Sequence, residues 1–90
     1  MKIVIVGAGA VGSYLAERLS SEALDVVVIE ADEQKAVELQ DRVDALVIVG
    51  NGASVATLEG AGVKGADLMI AVSNSDGANV LACSAAHELG

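Results

Sequence analysis

Four short apolar runs recur along the chain, and their pattern predicts four β-strands. They are rich in β-branched residues, each is closed by a polar residue or a glycine, and they cover Ile3–Val6, Val26–Ile29, Leu46–Val49 and Leu68–Val72. Their apolar residues are continuous rather than alternating. That pattern is typical of strands buried on both faces of a parallel sheet that helices cover.

The segments that follow these strands have the spacing of amphipathic helices. The third helix is predicted over 54–61 and the fourth over 75–89, and Asp32, Ser54 and Ser75 are predicted to be N-caps. The side chains predicted to face the core are, in chain order, Val11, Leu15, Leu19, Ala36, Leu39, Val43, Val55, Leu58, Leu81, Ala85 and Leu89.

Strict alternation of strands and helices, without a linker, predicts one partial α/β domain over residues 1–90. Right-handed crossovers make it a doubly wound parallel sheet of four βα units, and we expect the strand order 3-2-1-4. A complete domain of this kind adds two more strands, so strand 4 becomes an edge. We therefore expect a fragment, a designed minimal version, or an edge that pairs with a second copy.

Composition excludes several classes of protein. Hydrophobic residues make up 53% of the chain, which excludes intrinsic disorder. No window approaches the ~18 consecutive apolar residues of a membrane span, the start of the chain predicts no signal peptide, and a single cysteine argues against secretion. A net charge of −8 with five scattered basic residues excludes nucleic acid as a partner. Any phosphate must then be bound by backbone groups.

The strongest chemical signal is the pattern G-x-G-x-x-G directly after the first strand and at the start of the first helix. In that context it is typical of dinucleotide-binding βαβ units. Its glycines make a tight turn, let the backbone approach a pyrophosphate, and let the helix pack closely on the strand. The helix N-terminus would hold the pyrophosphate, and the alternative is a glycine-rich turn without a ligand. The residues of this predicted cofactor loop are Gly7, Ala8, Gly9, Ala10, Val11 and Gly12.

Glu30 closes the second strand, eighteen residues after Gly12. An acidic residue at this place accepts hydrogen bonds from the hydroxyls of the adenosine ribose. Its charge repels a 2′-phosphate, and residues 31–33 offer no arginine to receive one, so we expect NAD rather than NADP. A solvated charge at the strand end is the alternative.

Three polar residues near the same edge of the sheet are further candidates for contacts with the cofactor. Asn51 follows strand 3, Ser73 follows strand 4, and Asn79 lies on the fourth predicted helix. Ligands of such sheets bind outside the carboxyl ends of the strands. Ordinary turn and capping chemistry is the competing interpretation for all three.

An internal similarity joins two of the strand-to-helix turns. Residues 3–10 read IVIVGAGA and residues 46–53 read LVIVGNGA. The simpler interpretation is that two such turns need the same small residues, and a duplicated unit is the alternative.

The sequence carries no recognisable catalytic set. Cys83 and His87 lie four residues apart on the last predicted helix, where packing and the helix dipole account for both. There is no Ser-His-Asp set, no Cys-x-x-Cys pair and no cluster of metal ligands. We therefore expect neither catalytic residues nor a metal site, and no enzyme activity.

Taken together, four segments resemble the TrkA N-terminal domain, also called the RCK or KTN domain, of potassium-transport regulators. They are 2–19, 26–30, 50–54 and 66–73, and the likeness extends over essentially the whole chain. The resemblance implies a Rossmann fold that binds NAD or NADH, with ATP or ADP in some members. It also implies a homodimer or larger ring that gates a potassium channel or transporter at the cytoplasmic face of a membrane. Carried over by position, it assigns cofactor contacts to the three glycines of the loop and to Glu30, Asn51, Ser54, Ser73 and Asn79.

Two alternatives to this function follow from the same residues. An engineered or truncated minimal scaffold with weak or no ligand binding fits the missing strands and the absence of Phe, Trp and Pro. The cofactor-binding part of a dehydrogenase is the other alternative, but it would need a catalytic base near strand 4.

Overall fold

A computed structural model describes residues 1–22, 24–52 and 54–72, and in this part of the chain strands and helices alternate. The strands are β1 (Lys2–Val6), β2 (Asp25–Glu30), β3 (Leu46–Val49) and β4 (Leu68–Ala71). The helices are α1 (Ala10–Ser20), α2 (Glu33–Gln40) and α3 (Val55–Gly60), and a 3-10 turn covers Val63–Gly65. The predicted fourth helix and its residues Ser75, Cys83 and His87 lie outside the described residues.

The predicted strand order is confirmed. The sheet runs β3-β2-β1-β4, and its three pairs of neighbouring strands are all parallel. The central pair aligns Ile3 with Val26 and Val6 with Ile29. Since all strands point the same way, the turns that follow them meet at one edge of the sheet, the carboxyl edge.

Burial on both faces is confirmed for the two central strands. Along β1, Val4 and Val6 belong to one core and Ile3 and Ile5 to the other. The first core packs β1 and β2 against α3 and the 3-10 turn, through Val4, Val6, Val27, Ile29, Leu58, Ala61 and Val63. The second packs them against α1 and α2, through Ile3, Ile5, Ala8, Ala16, Val26, Val28 and Leu39.

The same expectation is wrong for the two outer strands of the described sheet. Leu46 and Val49 of β3 are 57% and 51% exposed, and Leu68 of β4 is 45% exposed. Among the described residues each of these strands has a neighbouring strand on one side only, and these side chains at its ends remain open to solvent. Continuous apolar composition therefore does not distinguish an edge strand from a central one.

Two helix faces also differ from prediction at their first turns. Val11 is 58% exposed because α1 turns Gly12 and Ala16 toward the sheet instead. Val55 is 42% exposed, and α3 buries Leu58 as predicted. Leu15 and Leu19 pack against the core as predicted, and Val43 does so from beyond the end of α2.

Two predicted helix caps are confirmed. The Asp32 side chain accepts hydrogen bonds from the backbone N–H groups of Gln34 and Lys35, and Ser54 accepts one from Thr57.

Among the described residues, no helix has the length and apolar character needed to cross a membrane.

Candidate functional site

The glycine-rich turn between β1 and α1 lies at the middle of the carboxyl edge. Gly7 has a φ of 110°, which L side chains rarely adopt, and its N–H donates to the Ile29 carbonyl at 2.8 Å. The Ser13 hydroxyl, one turn into α1, donates to the Ala8 carbonyl at 2.7 Å. The loop is thus tied to β2 on one side and to its own helix on the other.

Gly12 is the point where α1 approaches β1. A Cβ atom built on Gly12 would overlap the carbonyl oxygen of Gly7, and it would lie 3.4 Å from the side chain of Val72. No flexible side chain can move aside there, since the nearest group is backbone. The structure shows the close packing expected of the third glycine. As a result, the first turn of α1 contacts the end of β1.

The N-terminus of α1 differs from those of the other two described helices. Asp32 caps α2 and Ser54 caps α3 with a side-chain oxygen, whereas the N-cap of α1 is Gly9, which has no side chain. The first N–H groups of a helix have no acceptor within the helix. At α1 these groups belong to the exposed residues Ala10 and Val11 and to Gly12. An anion can accept from them there, with the helix dipole adding to the attraction.

Glu30 stands beside this helix end, and its carboxylate holds two turns together. One oxygen accepts from the Ala8 N–H and the other from the Asp32 N–H, both at 2.7 Å. An ionised carboxylate has about four acceptor positions, so two remain for other donors. Glu30 therefore positions the glycine-rich loop and can still accept hydrogen bonds from two neighbouring hydroxyls.

The turn after β3 lies next to Glu30 on the same edge. The Gly50 N–H donates to the Glu30 carbonyl at 3.0 Å, and the exposed Asn51 follows directly, its carbonyl accepting from the Ser54 N–H. Gly52 is buried, and a Cβ atom there would overlap the side chain of Val6. The second glycine of this turn thus packs on β1, while Asn51 faces solvent.

An open groove of about 520 Å³ runs from the glycine-rich loop down between α1 and α2. It contains two basic side chains. Arg42 forms an exposed ion pair with Glu17 at 3.5 Å, whereas Lys35, at the start of α2, has no ion-pair partner within the described residues. The groove is lined by Ala8, Gly9, Ala10, Ser13, Tyr14, Glu17, Lys35, Glu38 and Arg42.

The structure brings most of the predicted site residues to one place. The loop 7–12, Glu30 and Asn51 all lie at the carboxyl edge of three adjacent strands. The predicted contacts Ser73 and Asn79 lie outside the described residues. Sequence reasoning missed Lys35, although helical spacing from the Asp32 cap could have placed it near the loop. It also missed the hydrogen bond from the Ala8 N–H to Glu30. These residues are 22 positions apart, so no local sequence pattern indicates their contact.

A comparison with protein families matches this arrangement to one of them. The TrkA-N domain family covers residues 3–90, almost the whole chain. The chain belongs to the TrkA-N domain family. The resemblance drawn from the glycine-rich loop, the end of β2 and the turns after β3 and β4 is thereby confirmed.

The curated relatives of this TrkA-N domain are longer proteins. It is 44% identical over 89 residues to the Trk system potassium uptake protein TrkA of Halomonas elongata, covering 99% of this chain and 20% of that protein. It is 42% identical over 89 residues to a TrkA homolog of Pyrococcus abyssi, covering 99% of this chain and 39% of the homolog. The chain thus spans less than half the length of either relative.

Solved structures share the fold at lower sequence identity. The Kef C-terminal domain of Shewanella denitrificans, determined in an AMP-bound form, superposes with a TM-score of 0.81 at 21% identity, over 98% of this chain and 52% of that one. A putative NAD-dependent epimerase/dehydratase from Bacillus halodurans gives 0.64 at 23% identity, over 83% of this chain and 34% of that one. Both likenesses show the Rossmann-like architecture.

Proposed function

We propose that this TrkA-N domain binds an adenine nucleotide, with NAD or NADH preferred over ATP, ADP and the 2′-phosphorylated dinucleotides. The observation that carries the proposal is the uncapped start of α1 next to the Glu30 carboxylate. One offers N–H donors to an anion and the other offers acceptors to hydroxyls. A ribose joined to a phosphate presents both kinds of group at short range.

In this proposal different residues bind different parts of the nucleotide. The N–H groups of Ala10, Val11 and Gly12 hold the phosphates, and Gly9 keeps side-chain atoms away from them. The two remaining acceptor positions of Glu30 take the ribose hydroxyls. Asn51, on the neighbouring turn, contacts the nucleoside, and Ser73 and Asn79, which lie outside the described residues, would complete the site.

The charges near Glu30 support the preference for an unphosphorylated ribose. A 2′-phosphate would lie against the Glu30 carboxylate, and residues 31–33 bring two further acidic groups but no cation. Lys35 is the nearest basic residue along the chain, and it lines the groove beside the loop. It adds a modest attraction for any phosphate there, since it is partly exposed.

The role we propose for the bound nucleotide is regulation rather than catalysis. The relatives carry the name of potassium uptake proteins. We infer that the ligand biases two arrangements of a homodimer or larger assembly, at the cytoplasmic face of a membrane, and that a potassium transporter responds to the change.

Thermal unfolding with millimolar NADH, NAD, NADPH, ATP, ADP and AMP, paired with calorimetric titration, tests this function. Ligand at a hundredfold excess over its Kd stabilises the folded state by about 2.7 kcal/mol, a clear rise in Tm. We expect the largest rise with NADH or NAD and little with NADPH. An equal rise in Tm with ATP or AMP would agree with a nucleotide site but contradict the preference for a dinucleotide. No rise with any nucleotide would contradict the function.

A matched pair of variants ties binding to the start of α1. Val11→Glu places a carboxylate in the first turn of α1, where it favours the helix but repels a phosphate. Val55→Glu makes the same change in the first turn of α3, at another exposed valine. We expect Val11→Glu to weaken nucleotide binding about tenfold or more, at an unchanged or slightly raised Tm without ligand, and Val55→Glu to leave binding unchanged. Equal affinities in the two variants would place the nucleotide elsewhere.

A further inference from the structure

Strand β3 presents an open edge of the sheet to solvent. Its outer side has no neighbouring strand among the described residues, and Leu46 and Val49 are more than half exposed. The segment 45–50, ALVIVG, is uncharged, lacks proline and is rich in β-branched residues. Segments of this composition on an edge strand readily pair with a strand from another molecule.

The register of β3 identifies the backbone groups that face outward. The Gly50 N–H donates to Glu30 of β2, and Val49 is aligned with Glu30. Because successive residues of a strand direct their backbone groups to opposite sides, Leu46 and Ile48 face β2 with Gly50. Ala45, Val47 and Val49 therefore direct their N–H and C=O groups away from the sheet.

Gln40, the last residue of α2, occupies part of this outer edge with its side-chain amide. Its Nε2 donates to the Ala45 carbonyl at 2.8 Å, and its Oε1 accepts from the Val47 N–H at 3.1 Å. A backbone residue of a parallel strand placed opposite Leu46 would offer the same donor and acceptor to the same two groups. The amide thus completes the ladder that the sheet leaves open.

We propose that Gln40 acts as a substitute for a fifth strand and keeps the outer edge of β3 from pairing with the same strand of a second copy. An incoming strand has to displace both bonds before it can pair with the first half of β3. Past these two bonds only the Val47 C=O and the Val49 N–H and C=O face outward, too short a stretch for a stable ladder. This role of Gln40 in preventing β3 from pairing is independent of nucleotide binding.

The position of Gln40 explains why its side chain can serve this purpose. Leu39, the residue before it, is 1% exposed and anchors the end of α2 in the core. Gln40 itself is exposed, five residues before Ala45, so the chain turns back and lays β3 alongside it. A side chain of this length with both a donor and an acceptor at its end is required, which among common residues only glutamine supplies without charge.

Gln40→Met tests the proposal, with Gln34→Met as the matched control. Methionine keeps the length and the helix propensity but removes the amide. Within the described residues, the side-chain amide of Gln34 on the same helix bonds only to Glu38, at 3.4 Å. Sedimentation over a concentration series measures association. We expect the concentration at which half of the chains associate to fall about tenfold or more in Gln40→Met, and to be unchanged in Gln34→Met. Nucleotide affinity should stay unchanged in both.

A second substitution and a local measurement keep the outcome specific. Val49→Lys, which places a charge on the same edge, should reverse the association of Gln40→Met. In dilute wild-type protein the Val47 N–H should exchange with solvent more slowly than the Val49 N–H, and Gln40→Met should abolish that difference. Should Gln40→Met lose its fold, Gln40→Leu, an uncharged helix former that also lacks the amide, gives the same test. Unchanged association, or association that Val49→Lys does not reverse, would overturn the proposal.

Discussion

Residues 3–9 and 46–52 carry nearly the same sequence, IVIVGAG and LVIVGNG, and each segment joins a parallel strand to the next helix. The first is central, and its four apolar residues are at most 6% exposed, whereas the ends of the second lie at an open edge. The second glycine also differs in role. Gly9 begins a helix without a cap, while Gly52 packs on Val6 and Ser54 caps the helix that follows.

The difference shows that a shared strand-and-glycine sequence leads to an open helix end at one strand and a closed one at the other. The turns differ two residues after their second glycine, with Val11 in the first and Ser54 in the second, and in their neighbours. The first lies against Glu30, which binds Ala8 and leaves the start of α1 free. The second folds back over β1 and takes its cap from the chain itself. An anion-binding helix end thus depends on what stands next to the glycines as much as on the glycines.

The largest expected effect on stability comes from adding a Cβ atom at Gly12 or Gly52, two glycines that pack directly against other groups. Gly12→Ala forces a Cβ atom into the Gly7 carbonyl, so we expect the free energy of unfolding to fall by about 3 kcal/mol. Gly52→Ala meets the Val6 side chain instead, and we expect a loss of about 1–2 kcal/mol. Denaturant unfolding measures both.

Two further variants sharpen that measurement. Gly60→Ala, where a Cβ atom meets nothing within 4 Å, should leave stability unchanged or raise it by about 0.5 kcal/mol. Combining Val6→Ala with Gly52→Ala should cost less than the sum of the two single changes, because the smaller side chain makes room. Additive losses there, or a similar rescue of Gly12→Ala by Val6→Ala, would contradict the packing described.

The next effect distinguishes Glu30 from an ordinary acidic residue at a strand end. Glu30→Gln leaves one acceptor oxygen for the two N–H groups of Ala8 and Asp32, so we expect a loss of about 1.5 kcal/mol in stability. If the proposed function holds, nucleotide affinity also falls. Asp67→Asn is the control, since Asp67 accepts from the Lys2 N–H at the opposite edge of the sheet. It should reduce stability without changing affinity, and equal affinity losses would show that Glu30 has no direct part in binding.

The smallest effects come from exchanging the caps of the two helices. Ser54→Ala removes the acceptor for the Thr57 N–H and should lower stability by about 1 kcal/mol. Gly9→Ser adds an acceptor at a residue with a φ of −73°, which serine adopts freely, and should raise stability by about 0.3 kcal/mol. The added hydroxyl competes for the N–H groups assigned to phosphate, so nucleotide titration should show weaker binding. Binding that improves would contradict the open helix end.

The features predicted from sequence are those that neighbouring residues determine. The strands, the caps Asp32 and Ser54, and the turn at Gly7 all follow from local patterns, and the strand order follows from the connections. The rest depends on contacts between distant residues. The exposure of Leu46 and the packing of Gly52 on Val6 depend on the contacts between neighbouring strands. The pattern of residues along the chain does not contain these contacts.

The pairing of β1 with both of its neighbours has a consequence for the order of folding. The β1–β2 pair joins residues 23 positions apart, as in Lys2 with Asp25, whereas the β1–β4 pair joins residues 65 apart, as in Ile3 with Leu68. By loop-closure entropy the second pairing costs about 0.9 kcal/mol more than the first. We expect β1, α1 and β2 to assemble first, so that a growing chain forms the bond from Ala8 to Glu30 before β4 has been synthesised.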